Sequence, residues 1–164
     1  MKPFNDCISE YRKLVEKGDI VTAYRGLMEY MMNLRTHFKN KYPDYSLPGS
    51  LYYGYMDMTY FPLVTEKLME KGLKIAIVLI HDGLRFEAWL SGVNKAVQLK
   101  YWEIVKEKHW DQYRIPAGLQ GQDSIVECDL ADNPDFSDLD KLTGQIETQT
   151  LKFIQDVEDF LSRL

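Results

Sequence analysis

Leu73-Lys-Ile-Ala-Ile-Val-Leu-Ile-His81-Asp-Gly-Leu84-Arg-Phe-Glu-Ala-Trp-Leu-Ser91 decides the fold. Two β-branched and aromatic runs flank Asp82-Gly83, and Asp-Gly at that position predicts a two-residue type I′ hairpin. The register then follows. His81 faces Leu84, Ile80 faces Arg85, Val78 faces Glu87 and Ala76 faces Trp89. Side chains alternate along a strand. One face therefore carries Ile75, Ile77, Leu79, Phe86, Ala88 and Leu90, all apolar. The other carries Ala76, Val78 and Ile80 with Arg85, Glu87 and Trp89.

The chain on either side supplies helices and two more strands. Phe4, Ile8, Tyr11 and Val15 fall at i, i+4, i+7 and i+11, a helical stripe that Leu14 broadens. Gly18 ends it. A second stripe runs through Ile20, Tyr24, Leu27, Met31, Leu34 and Phe38 to Pro43, with Arg35, His37, Lys39 and Lys41 complementing the dipole of its last turns. The short connection predicts an antiparallel helix pair. Residues 51–61, rich in Tyr and Met, read as a strand. Thr65 caps a short helix over 66–71, and Asn94 caps one over 95–108. Residues 123–130 alternate as an edge strand, and a long amphipathic helix closes the chain from Leu139. The expected fold is α+β in the order ααβαββαβα, a four-stranded, mostly antiparallel sheet flanked by helices.

The chain has 164 residues, 45% hydrophobic and 27% charged. That suits a single globular domain over 1–164. The longest apolar run, Ile75 to Ile80, is far short of the roughly 20 residues of a membrane span. No apolar signal segment follows Met1, and Cys7 and Cys128 are not a disulfide framework. Both cysteines are expected to be buried free thiols, and the protein to be cytoplasmic with no membrane partner. Charge is uneven. Residues 1–119 hold 17 Lys+Arg and 14 Asp+Glu, a net of +3, whereas residues 120–164 hold 3 and 11, a net of −8. An acidic tail argues against nucleic acid as a partner.

The sequence carries few chemical motifs. Glycine-rich phosphate loops, HExxH and CxxC are absent, no cofactor is expected, and His37, His81 and His109 are scattered without metal-ligand spacing. Asp129, Asp132, Asp135 and Asp138 suit a turn and a helix cap. The tyrosines say more. On the strand 51–61, Tyr53, Tyr55, Asp57 and Thr59 share one face, and Tyr52, Gly54, Met56, Met58 and Tyr60 share the other. The second set reads as core. The first set is amphipathic and suits a binding surface. If both strands lie in one sheet, Tyr53, Tyr55 and Asp57 share a face with Arg85, Glu87 and Trp89. Lys95, Gln98 and Trp102 of the following helix border it. A buried Glu87 needs a partner, and Arg85 or Lys95 is the nearest.

These nine residues define the candidate ligand site, a Tyr/Trp-lined polar cleft of a soluble binding or interaction module. Its partner would be a small molecule or a protein. The alternative is a metal-dependent hydrolase in which Asp57 and Glu87 hold a divalent ion and activate water. Asp on one strand and Glu on the next resembles the restriction-endonuclease-like nucleases. Trp89 stands where their Glu-x-Lys motif has lysine, and Lys95 is the nearest replacement, so this would be a degenerate member.

The blocks Gly54-Tyr-Met-Asp-Met-Thr-Tyr-Phe61, Leu73 to His81, Arg85-Phe-Glu-Ala-Trp-Leu90, Asn94-Lys95 to Tyr101-Trp102 and Asn133-Pro-Asp-Phe-Ser-Asp-Leu139 carry a resemblance over nearly the whole chain. They are similar to a small family of uncharacterised bacterial proteins, a domain of unknown function. The resemblance implies a stand-alone, single-domain bacterial protein. It transfers no catalytic residue.

Overall fold

The computed structural model describes residues 1–164. Its elements follow the expected order: α1 (Phe4–Lys17), α2 (Asp19–Lys41), β1 (Met58–Leu63), α3 (Glu66–Glu70), β2 (Leu73–Ile80), β3 (Arg85–Gly92), α4 (Lys95–Glu107), β4 (Val126–Ala131) and α5 (Leu139–Ser162). The strands form one antiparallel meander in the order β1-β2-β3-β4. Thr65 and Asn94 cap α3 and α4 through their side chains.

The central hairpin has the expected register, from Ile80 opposite Arg85 to Leu73 opposite Gly92. Its apolar face meets α2 and α5. Met31, Leu34 and Phe38 of α2 and Ile146, Phe153 and Val157 of α5 are buried in one cluster with Ile75, Ile77, Leu79, Phe86, Ala88 and Leu90. The turn itself differs from type I′, which needs positive φ at both Asp82 and Gly83. Here Gly83 and Leu84 have positive φ and Asp82 does not. The reason lies in β1. Asp57 O accepts the His81 N–H at 2.9 Å and the His81 ring bonds Thr59 at 3.0 Å, so the His81 N–H is taken by β1 and only its O is left to close the turn, accepting the Leu84 N–H at 3.3 Å.

The strand expected over 51–61 is corrected to Met58–Leu63. Residues before it turn back on it. Gly54 has φ +69, and a Cβ there would lie 2.1 Å from Met58 O. Met56 is also left-handed, and the Asp57 carboxylate accepts the Tyr55 N–H at 2.8 Å. This loop lets Tyr52 and Tyr60 exchange backbone hydrogen bonds. Together with the Ser46–Val64 bridge and Pro62, which has no N–H, it blunts the outer edge of β1.

The faces of β1 are inverted relative to the expectation. Thr59, Phe61 and Leu63 pair with Leu79, Ile77 and Ile75 and point into the core. Met58, Tyr60 and Pro62 pair with Ile80, Val78 and Ala76 on the other face. Phe61 and Leu63 are larger and more apolar than Thr59 is polar. The core tolerates Thr59 because its hydroxyl donates to Tyr53 O at 2.9 Å.

The cysteines divide. Cys128 is buried as expected, and burial, reinforced by Asp129, pushes its thiol up to about 11. Cys7 is exposed on α1, which buries none of its residues. One thiol per chain is therefore expected to react with a disulfide reagent in the native state, and a second only after denaturation. Two fast thiols would contradict the packing of β4.

Candidate functional site

Glu87 lies at the centre of the sheet face opposite the main core and is 2% exposed. A carboxylate so placed must be fully bonded. Arg85 Nε donates to Oε1 at 2.8 Å, as expected from the sequence. Trp89 Nε1 donates to Oε2 at 2.6 Å. The third partner is Arg114, whose guanidinium lies 3.1 Å from Oε1. Lys95 takes no part.

Arg114 comes from the irregular stretch after α4. Its backbone exchanges hydrogen bonds with Glu127 along the outer edge of β4. Its guanidinium spans three acids: Glu87, Glu127 at 2.8 Å and Asp129 at 3.3 Å. Burial opposes its charge, but the bond to Glu127 and the fields of Glu87 and Asp129 outweigh that and raise its pKa further. Ser124 donates to Glu127 at 2.6 Å, and Ser91 donates to Asp123 O at 2.5 Å, tying the same stretch to β3 and β4. Arg114 and Glu127 stand in the wall of a cleft of about 400 Å³, completed by Ile115 to Gly118, Gln120 and Gln122. On the β1 side of this face the Tyr52 and Tyr60 rings lie 4.9 Å apart.

The structure therefore brings together Arg85, Glu87 and Trp89 and leaves the other six candidates outside the Glu87 network. Tyr55 is 92% exposed in the loop before β1. The Tyr53 hydroxyl reaches Met32 of α2 at 3.9 Å. Asp57 caps its own loop and acts on His81, which stacks on Tyr24 of α2. Its company is thus the α2 side, and it shares no site with Glu87. No group of three or more His, Cys, Asp or Glu side chains is placed to hold a metal ion. Gln98 is tied to the end of β3, its Oε1 accepting the Gly92 N–H at 2.6 Å while its Nε2 is buried without a partner. Trp102 donates to Pro116 O at 3.0 Å under Lys106, and so braces the wall of the Arg114 cleft, which Pro116 lines, without touching Glu87. Lys95 is an exposed residue at the start of α4.

A second polar cluster joins the end of α2 to α5. Glu147, nearly buried, is bonded by His37 Nε2 at 2.6 Å, Lys41 Nζ at 2.7 Å and the Tyr42 hydroxyl. Burial works against its charge, yet the bonds from Lys41, Tyr42 and His37 prevail and hold the carboxyl at about 2. The basic end of α2, read from sequence as a dipole complement, thus has a specific acceptor on α5. Its folded pKa is depressed, so Glu147 contributes stability above the unfolded carboxylate range. That contribution is lost as pH falls from about 4.5 toward about 2. Glu147→Gln should flatten the fall of melting temperature across this window. An identical acid limb in the variant would show that the cluster does not contribute.

The chain belongs to the family described as a domain of unknown function, DUF7000, which matches residues 4–161. Comparison with curated proteins and with solved structures gives no match. No helix is long and apolar enough to cross a membrane.

Proposed function

We propose that this protein is a binding module of one domain, and that its recognition site is the sheet face floored by Glu87 and the adjoining Arg114 cleft. The observation that carries this is the immobilised floor. A carboxylate at 2% exposure is held by two arginines and an indole, and one of those arginines forms the wall of an open cleft. Locking polar groups in place before a ligand arrives lowers the entropic cost of binding. The tyrosines 52 and 60 and Trp89 give flat amphipathic area beside it.

The charge balance selects the ligand. Arg85 and Arg114 face Glu87, Glu127 and Asp129, and Asp123 stands near Tyr60, so the site is acidic. Gln120, Gln122 and the backbone around Gly118 supply amide donors and acceptors. A polypeptide segment bearing a cationic side chain fits this chemistry, and nucleic acid does not. Free thiols fit a reducing cytoplasmic setting, and the sequence resemblance points to a bacterial source.

The test is fluorescence anisotropy with labelled hexapeptides, one Lys/Arg-containing and one Asp/Glu-containing, against the intact protein. Saturable binding of the basic peptide, weakened by salt and by Asp129→Lys, is the expected result. Equal binding of both peptides, or of neither, would overturn the proposal.

A further inference from the structure

Helix α1 is the most exposed apolar element of the fold. Its 14 residues include none that is buried, and no side chain caps its N-terminus. Helices of this length are marginal in water without a packing partner. Contact with α2 supplies part of that packing, in keeping with the lower exposure of Ile8 and Val15. Phe4 remains 80% exposed, Tyr11 62% and Leu14 45%. With Cys7 they fall at 4, 7, 11 and 14, the spacing of a two-helix seam.

We propose that this seam pairs with a second copy of the same chain, the two α1 helices running antiparallel. The charges favour that occupant and set its register. Flanking the seam on the side away from Ile8 and Val15 are Glu10 and Lys17. Lys17 has no ion pair within the chain, and Glu10 has a surface pair with Lys13. Placing Tyr11 opposite the second copy's Leu14 sets Glu10 beside the second copy's Lys17, and symmetry repeats the pair. Phe4 then covers the second copy's hairpin tip, where Val21 is exposed. A parallel pair instead sets Glu10 against Val15 and gains no opposite charge. A membrane surface is a poorer occupant. Residues 1–29 hold five Lys+Arg and five Asp+Glu, so the hairpin is neutral and an anionic bilayer does not attract it. A single helix pair buries little surface, which places the dimer among weak, concentration-dependent ones.

Sedimentation velocity on the intact chain over a concentration series tests this. The native protein should pass from monomer to dimer as concentration rises. Tyr11→Asp should stay monomeric throughout while retaining its melting transition, because Tyr11 is outside the core. Lys17→Glu should weaken the dimer by roughly three- to tenfold, and the double variant Glu10→Lys, Lys17→Glu should restore it. A monomer at every concentration, a dimer indifferent to Tyr11→Asp, or a double variant as weak as Lys17→Glu would overturn the proposal. So would a monomer that co-sediments with phosphatidylserine vesicles through α1.

Discussion

Phe61→Ala should destabilise the protein by about 3–5 kcal/mol, the cost of emptying a fully packed aromatic site. At the scale of a 164-residue chain that is a fall in melting temperature of roughly 6–20 °C. Phe61 is fully buried, pairs with Ile77, and its ring lies 6.3 Å from that of Phe38. The contrast variant is Met56→Ala, half-exposed in the loop before β1, which should shift stability by less than about 0.5 kcal/mol. A strand over 51–61 with its methionines in the core demands the reverse order. Thermal melts of the two variants decide between the two registers.

Glu87→Ala comes second in size. Removing the carboxylate leaves the Trp89 N–H unbonded and two guanidinium groups without their common acceptor. Breaking a buried ion pair costs about 3–5 kcal/mol. Both arginine side chains are partly open to water and can rehydrate, so about 2–3 kcal/mol is the expected loss. Arg85→Ala removes one partner and leaves Arg114 and Trp89 in place, and should cost about 1 kcal/mol or less. Chemical denaturation of the two variants measures the difference. Equal losses would mean that Glu87 is not the hub of the network.

The parts of this fold legible in the sequence are those fixed by local chemistry. The β2–β3 register followed from Asp82-Gly83 and two apolar runs, and the Thr65 and Asn94 caps from their side chains. The phase of β1 was not legible in that way. Tyr and Met are ambiguous between faces, and the turn at Gly54 and Met56 breaks the alternation that carried the argument. Reading on to Phe61 and Leu63 reverses the phase, because two large apolar side chains outweigh one threonine. Three of the nine candidate residues, Tyr53, Tyr55 and Asp57, left the Glu87 face with that inversion. Arg114 was missed for a different reason: it stands in an aperiodic segment, and its place beside Glu87 depends on a bridge to Glu127, 13 residues later. The signal available was the demand of a buried glutamate for cations, which pointed to Arg85 and stopped there.

On the proposed function, ligands are recognised where Glu87 fixes Trp89 and Arg114. Proton–nitrogen correlation spectra follow the three tryptophan indoles and the arginine Nε–H groups individually. Titration with the Lys/Arg-containing hexapeptide should move the Trp89 indole and Arg114 Nε–H signals together, with Trp110, stacked on Phe160, nearly still. Trp89 and Arg114 signals that stay still at saturating peptide would contradict the account.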